Sequence, residues 1–436
     1  MMAAMIARPS LRLLHTSDWH LGQDLHGLPR EAEHRAFLEW LLERLEDQAV
    51  DALLITGDIF DTQNPPVAAQ AMLYDFLARA KRAQPGLDIV IIGGNHDSAA
   101  RLEAPDALLR PLGVHVVGSL PKDPARLLLP LHDRTGAPAA LVAAIPFLRL
   151  SDLPVPQEDV DDPLVWGVRA VHEQVFAVAR ARAAAAGLAL VATGHCYMVG
   201  SALSELSERR ILGGNQHALP ADVFPADCAY VALGHLHKPQ RVGGRDTVRY
   251  AGSPLPLSVT EKDYPHQVVL VDLPPPGVAE AAEVTPLPVP RTVDYLRVPA
   301  QGAAAPEQAL ADLRALDLPE PPDRDHRPYL EVVVRLDRPS PSLRHEVDQA
   351  LAGKPVRLCR LHVEYGGSGE ALAAAAADIP DLAALHPEEV FERAWARLYD
   401  EPPGDAHRHA FRELLEGLDG DAAPAALAGA EEGVSA

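Results

Sequence analysis

Cysteine is scarce in this chain, and long apolar runs are missing from it. The 436 residues include three cysteines, Cys196, Cys228 and Cys359. This odd, widely spaced set excludes a disulfide framework and is typical of a reducing compartment, so we expect a cytoplasmic protein. No apolar run reaches the roughly eighteen residues that a membrane-spanning helix needs, so we expect no membrane partner.

Positive charge is also in short supply. The net charge of −22 excludes a protein that coats nucleic acid through charge alone. The acidity is uneven, because residues 367–436 hold fifteen Asp and Glu against four Lys and Arg. The hydrophobic fraction of 47% is ample for a large core. The length exceeds that of one typical domain, so we expect two or three domains.

Up to about residue 273, short apolar runs alternate with segments of helical periodicity, which predicts an α/β fold. Each run ends at a glycine or a polar residue, as buried strands do. The runs are Leu11–His15, Ala52–Thr56, Asp88–Ile92, Leu188–Thr193 and Tyr230–Leu233. Polar motifs follow these runs, at the strand ends where α/β sheets usually bind ligands.

Five polar motifs occur in order: Asp18-Trp19-His20, Gly57-Asp58, Gly94-Asn95-His96-Asp97, Gly194-His195 and Gly234-His235-Leu236-His237. In an extended segment, side chains two residues apart project to the same side, so each two-residue spacing presents two ligands to one pocket. Most of these motifs alone are more often turns or structural residues, but the ordered set is specific. It supplies ligands for two adjacent divalent metals: Asp18, His20, Asp58, Asn95, His195, His235 and His237.

The ligand types indicate the chemistry. Carboxylate and imidazole groups favour Mn²⁺, Fe²⁺ or Zn²⁺, whereas Mg²⁺ prefers more oxygens. Asp58 is the natural bridge between two metals, which can hold a bridging hydroxide for in-line attack on a phosphate ester. His96 lies beside Asn95 and can act as a proton donor or charge stabiliser for the leaving oxygen. We expect Asp97 to orient the His96 ring.

The rest of the chain predicts smaller units. Pro274–Pro290 has the composition of a connector, and a strand–helix–strand–helix–strand pattern then predicts a small α+β domain. Apolar stripes in Val390–Leu398 and Phe411–Leu418 predict two helices, which either pack on their own domain or dock a partner. The expected division is a metal-binding domain at 1–290, the α+β domain at 291–366, a linker at 367–386, the helix pair at 387–419 and a disordered tail at 420–436.

The ordered motifs resemble the calcineurin-like metallophosphoesterases. Longer phrases resemble the SbcD family, the nuclease subunits of bacterial SbcC–SbcD DNA repair complexes: Gly57-Asp58-Ile59-Phe60-Asp61, Gly94-Asn95-His96-Asp97-Ser98, Gly234-His235-Leu236-His237-Lys238-Pro239-Gln240 and Gly252-Ser253-Pro254-Leu255-Pro256-Leu257-Ser258. The resemblance implies a β-sandwich flanked by helices, with residues 291–366 as a DNA-contacting cap. It also implies that 387–419 grips the coiled coil of an SbcC-type ATPase, in a homodimer that forms a heterotetramer with SbcC.

The same resemblance divides the ligands between two metals. It places Asp18, His20, Asp58 and His237 on one metal and Asp58, Asn95, His195 and His235 on the other. It makes His96 the catalytic histidine, and it gives Asp61, where some relatives carry histidine, a supporting role. The implied activity is 3′→5′ exonuclease cleavage of double-stranded DNA and endonuclease cleavage of single-stranded DNA, with Mn²⁺ as the metal and Mg²⁺ as the alternative, in DNA repair and recombination.

Two other functions remain open. One keeps the fold but acts on small substrates, as a phosphomonoesterase or cyclic-nucleotide phosphodiesterase; the extra domain and helix pair count against it. The other is a scaffold protein that binds metals and DNA ends with little catalysis, and the intact His96-Asp97 pair counts against that.

Overall fold

The computed structural model describes residues 10–156, 160–202, 218–275 and 281–366, and positions 391–392, 395, 403–404, 407–408 and 410–411. The chain divides into two compact units, residues 1–334 with 343–363 and residues 335–342 with 364–436. The predicted linker at 367–386 and tail at 420–436 lie outside the described residues, as does most of 387–419. The predicted domain boundaries stay predictions.

The strands of the described residues are, in chain order, β1 Leu11–Thr16, β2 Asp24–Leu25, β3 Leu28–Pro29, β4 Ala52–Thr56, β5 Asp88–Ile92, β6 Val114–Val117, β7 Leu128–His132, β8 Pro138–Ala144, β9 Ala189–His195, β10 Tyr230–Gly234, β11 Gln240–Val242, β12 Arg245–Tyr250, β13 Gln267–Leu273, β14 Glu283–Pro288, β15 Tyr295–Val298, β16 Tyr329–Leu336 and β17 Arg357–Tyr365. The α-helices are α1 Glu31–Asp47, α2 Val67–Ala83, α3 Ala99–Glu103, α4 Asp106–Leu109, α5 Pro163–Ala186, α6 Pro306–Ala315 and α7 Leu343–Ala350. In the described part, no helix is both long and apolar enough to cross a membrane.

Two six-stranded sheets form the sandwich that holds the predicted ligands. Their strand orders are β14-β13-β1-β4-β5-β6 and β11-β12-β10-β9-β8-β7. Strands β1, β4 and β5 run parallel in the first sheet, and β8, β9 and β10 run parallel in the second. Parallel strands present their carboxyl ends at one edge of the sheet, so the loops that follow them meet there. The predicted α/β fold is confirmed.

Successive side chains on the central strands of the first sheet pack alternately into two hydrophobic cores. Leu13 and Leu54 join a cluster that contains residues of the second sheet, such as Val231. Leu14 and Leu53, their neighbours along the chain, join a cluster with the apolar faces of α1 and α2. Full burial of each such side chain contributes about 1.5–3 kcal/mol, so both faces of the central strands are fixed.

The predicted connector at Pro274–Pro290 is wrong for Glu283–Pro288, which forms β14. This strand pairs antiparallel with β13, and Pro286 and Pro288 lie opposite Val269 and Gln267. Strand β14 is at the edge of its sheet. An edge strand tolerates proline, because the missing N–H can belong to the side that has no neighbouring strand.

The small α+β domain contains a three-stranded sheet in the order β15-β16-β17, with α6 and α7 in the same segment of the chain. Strands β15 and β16 are parallel. The predicted strand–helix–strand–helix–strand order is confirmed, and we call residues 291–366 the cap.

The predicted helix stripes contact each other at the positions that the structure describes. The ring of Phe391 stacks on Phe411 with centroids 4.2 Å apart. Arg408 Nε lies 2.7 Å from Glu392 Oε1. The ring contact joins the two predicted stripes, and the ion pair joins the first stripe to Arg408, three residues before the second stripe begins, as in a helix pair joined by a turn.

Candidate metal centre

All seven predicted ligands lie at or just beyond the carboxyl ends of parallel strands. Asp18 and His20 follow β1, Asp58 follows β4, Asn95 follows β5, His195 ends β9, and His235 and His237 follow β10. The two sheets therefore contribute ligands to one place, which no single motif specifies.

Four of these ligands occupy left-handed backbone conformations. The φ angles are 54° at Asp18, 45° at His20, 47° at Asp58 and 101° at His235. Non-glycine residues adopt this region at a cost on the order of 1–3 kcal/mol each, and they do so mostly at functional sites. The predicted extended conformation is therefore wrong at Asp18, His20 and His235. The amides of Asp18 and His20 donate to the carbonyl oxygens of Gly57 and Asp58, which follow β4, and these hydrogen bonds hold the two ligands in turns.

The first group of ligand atoms belongs to Asp18, His20 and His237, which lie within 4.8 Å of one another. His20 donates from Nδ1 to Asp61 Oδ1 at 3.1 Å, and His237 donates from Nδ1 to Glu261 Oε1 at 2.9 Å. Each carboxylate thereby orients the opposite nitrogen, Nε2, as the ligand atom. The Nε2 atom of His20 is buried without a hydrogen-bond partner, a costly state that a bound metal would relieve.

The second group contains Asp58, His195 and His235. Asn95 Oδ1 lies 2.9 Å from His195 Nε2 and 3.0 Å from His235 Nδ1. His195 is held on its other side, where Nδ1 donates to the Thr56 carbonyl oxygen at 2.9 Å. Four potential ligands therefore converge at this point.

Asp58 lies between the two groups. Its Oδ2 atom is 3.4 Å from His195 Nε2 in one group and 3.6 Å from His20 Nε2 in the other. Its Oδ1 atom accepts a hydrogen bond from the His96 amide at 2.8 Å. This is the position that a bridging carboxylate requires.

Glycines allow this close packing. A Cβ atom at Gly57 would overlap the His195 ring, one at Gly94 would overlap the Asp58 carboxylate, and one at Gly234 would overlap the Thr56 carbonyl oxygen. These three of the four motif glycines are therefore part of the cradle that holds the ligands.

The cluster carries strongly shifted pKa values. Burial disfavours the charged form of His195, but the Asp58 carboxylate outweighs burial and raises the pKa of His195 to about 9. Burial, followed by the neighbouring His195, lowers the pKa of His235 to about 3. Burial opposes ionisation of Asp58, yet His195 holds the pKa of this carboxyl well below its usual range. A positive charge is thus favoured beside Asp58, where a cation is expected.

The predicted role of Asp97 in orienting His96 is wrong. His96 donates from Nδ1 to the Asp61 carbonyl oxygen at 2.8 Å. The Asp97 carboxylate is buried and accepts instead from the amides of Ile59, Phe60 and Gly94. Burial and the nearby Asp58 raise the pKa of Asp97 to about 6. These three buried amides need an acceptor, and because they belong to the loops after β4 and β5, the Asp97 carboxylate holds the two loops together.

Glu261 binds a predicted ligand, His237, and the sequence did not reveal this contact. It has no exposed surface, and its second oxygen accepts from the Leu257 amide at 2.7 Å. It lies 24 residues after His237, and no spacing rule connects the two. The resembling phrase that ends at Ser258, three residues earlier, was the nearest signal.

Two families match parts of this chain. The calcineurin-like phosphoesterase family matches residues 11–239, and the type 5 capsule protein repressor C-terminal domain matches residues 292–399. The chain is 47% identical to the SbcD component of nuclease SbcCD from Rhodobacter capsulatus, over 88% of this chain and 94% of that protein. The chain belongs to the SbcD family.

Other SbcD proteins agree. Identity is 34% with that of Escherichia coli K12, over 94% of this chain and 99% of the relative. Identity is 36% with the SbcD protein of Bacillus subtilis 168, over 63% of this chain and 69% of the relative. As a member of the SbcD family, the chain is a metal-dependent nuclease with a calcineurin-like phosphoesterase fold. Its His and Asp cluster suits divalent metal ions.

Proposed function

We propose that the two groups of side chains bind two divalent metals. One metal is held by Asp18, His20, Asp58 and His237, and the other by Asp58, Asn95, His195 and His235. The observation that carries this proposal is the position of Asp58 Oδ2, between the buried Nε2 of His20 and that of His195. The orphaned His20 nitrogen supports it as well.

We propose Mn²⁺ as the physiological metal. Four imidazoles with two carboxylates and one amide oxygen form a donor set richer in nitrogen than Mg²⁺ prefers. When bound, a metal pair activates water and polarises the phosphodiester. The chain's contribution is to hold the ligand atoms in place and to keep Asp58 ionised.

We propose that His96 assists the leaving oxygen. A carbonyl oxygen only accepts hydrogen bonds, so the Nδ1 atom of His96 carries a proton that it donates to Asp61. We propose that its Nε2 atom faces the substrate and donates a proton to the departing oxygen. The His20 ring, with its centroid 4.7 Å away and edge-on, limits rotation of the His96 ring.

We propose DNA as the substrate, with 3′→5′ exonuclease action on double strands and endonuclease action on single strands. The relatives are named as components of nuclease SbcCD, so we also propose an SbcC-type coiled-coil ATPase as partner, bound through 387–419, and a homodimer. The net charge of −22 favours a complex in which the partner supplies part of the DNA-binding surface. We place the complex in the cytoplasm, in keeping with three free cysteines.

The proposal is tested with His96→Ala. Cleavage of linear duplex DNA should fall by about 10²–10⁴-fold, the usual contribution of a general acid, while metal analysis should still find two metals per chain. His345→Ala, on α7, is the matched control and should cleave at the normal rate. Near wild-type cleavage by His96→Ala would contradict the assigned role. Faster turnover of a small aryl phosphodiester than of DNA would favour the small-substrate alternative.

A further inference from the structure

A fully buried arginine makes a hydrogen bond to the loop that follows His20. Arg30 precedes α1, and all five N–H groups of its guanidinium have partners. Two of them bind the Glu33 carboxylate, at 2.9 and 3.0 Å. The other three bind Gln23 Oε1, the Pro256 carbonyl oxygen and the Tyr295 hydroxyl. Burial opposes the charges, but the pairing holds the pKa of Glu33 below its usual value.

Two of these partners belong to loops that carry or support ligands of the first metal group. Gln23 follows His20 by three residues, and its side chain donates to the Leu257 carbonyl oxygen at 3.0 Å. Pro256 precedes Leu257, whose amide donates to Glu261, the residue that orients His237. Arg30 therefore joins the loop that follows His20 to the loop of Pro256 and Leu257, which supports His237 through Glu261.

The cap supplies one further partner to Arg30 and one to Glu33. The Tyr295 hydroxyl, on β15, accepts from Arg30 Nη2 at 3.0 Å. The Tyr329 hydroxyl, on β16, donates to Glu33 Oε2 at 2.7 Å. The Arg357 guanidinium lies 4.2 Å over the Tyr329 ring and fixes its position. Both tyrosines are buried. Because each supplies one hydrogen-bond partner, the hydrogen bonds of Arg30 and Glu33 are complete only when the cap packs against them.

The second metal group has separate supports. His195 is oriented by the Thr56 carbonyl oxygen at the end of β4, and Asn95 lies on the loop after β5. These supports belong to the sandwich. Within the described chain, Arg30 makes its hydrogen bonds to Glu33, Gln23, Pro256 and Tyr295, and not to Thr56 or Asn95.

We propose that the cap positions one metal site and leaves the other independent. Tyr295 and Tyr329 act through Arg30 and Glu33 as positioning residues, and they keep His20 and His237 in ligating geometry. Loss of a cap hydroxyl weakens metal binding at the Asp18, His20 and His237 group only. This inference rests on the ligand assignments made under the proposed function.

The test measures Mn²⁺ affinity by electron paramagnetic resonance titration in two backgrounds. His195→Ala leaves the group of Asp18, His20 and His237 as the intact site, and His237→Ala leaves the group of Asn95, His195 and His235. Tyr329→Phe should weaken Mn²⁺ binding about tenfold in the first background, the lower end of what loss of a supporting contact costs. It should leave binding unchanged in the second.

Tyr295→Phe is a second variant that removes one hydroxyl, and it should behave in the same way. Tyr74→Phe, on α2 and outside the network, is the control and should change neither background. Equal weakening in both backgrounds, or none in either, would overturn the inference while the ligand assignments stand. Failure of the two backgrounds to retain one Mn²⁺ each would overturn the ligand assignments and the inference together.

Discussion

Single glycines allow the two sheets to bring their ligands close together. Gly234 ends β10 directly before His235, and it packs against the Thr56 carbonyl oxygen that accepts from His195. The sequence showed Gly234 as part of a motif. Its packing partner is 178 positions away along the chain, so only the folded structure reveals why a side chain does not fit.

Gly234→Ala should disrupt the second metal group. The added methyl overlaps the Thr56 oxygen and displaces the His195 ring, so we expect loss of one metal per chain and destabilisation by about 1–3 kcal/mol. Metal analysis and urea denaturation measure the two effects. Gly86→Ala is the matched control, because within the described chain no atom beyond the adjacent residues lies within 4 Å of the added Cβ. Wild-type metal content in Gly234→Ala would show that the close approach is unimportant.

At the scale of elements, the start of α1 carries a buried ion pair. Arg30 and Glu33 are one helical turn apart, and their side chains are 0% and 3% exposed. Such pairs are weak evidence for net stability, since desolvation offsets much of their attraction, but removal of one partner is strongly destabilising.

Arg30→Met should therefore lower the free energy of unfolding by about 3–5 kcal/mol, because Glu33 stays buried without its cation. Urea denaturation measures the change. Removal of both charges in Arg30→Met with Glu33→Leu should restore part of the loss. Arg35→Met, which breaks an exposed pair with Glu31 on the same helix, should change stability little. A small change in stability with Arg30→Met alone would contradict this expectation, because it would mean that the Glu33 carboxylate is stabilised without its arginine partner.

Elements were predictable from sequence to the extent that their signals are local. Apolar runs that end in glycine or a polar residue predicted β4, β5 and β10 within one residue, because a strand buried on both faces has few polar positions. Strand β14 was missed because Pro286 and Pro288 are typical of a connector. Whether a strand is at an edge depends on which strands flank it, and the local sequence does not contain that information.

For the molecule as a whole, the proposed ligand assignment implies that a metal and a proton compete for His195. Without metal, the raised pKa of His195 stabilises the fold most below its ordinary value of 6.5, and this contribution disappears as the pH rises through about 9. A bound metal needs the neutral imidazole, so protonation opposes metal binding below about pH 9. Between about pH 6.5 and about 9 the metal-free protein therefore loses this stabilisation, whereas a metal-loaded protein, in which His195 is already neutral, does not.

Chelation should therefore lower the Tm, and the gap between metal-loaded and metal-free protein should widen as the pH rises from about 6 to about 9. Metal at a hundred times its Kd stabilises by about 2.7 kcal/mol per site. Calorimetry with and without a chelator measures the gap. His195→Ala should show a smaller pH dependence. A gap that is constant with pH would contradict proton competition at this site.

Residue types and local patterns were enough to predict which side chains bind metal, and they placed them correctly at the ends of strands. Ligand chemistry is a property of the residue type, and strand ends follow from local apolar runs. Folding in three dimensions settled which atoms meet. It paired His96 with the Asp61 carbonyl in place of Asp97, supported His237 with Glu261, and brought Tyr329 to Glu33 across 296 positions. These contacts arise from packing between distant segments, and no local pattern specifies the distance between them.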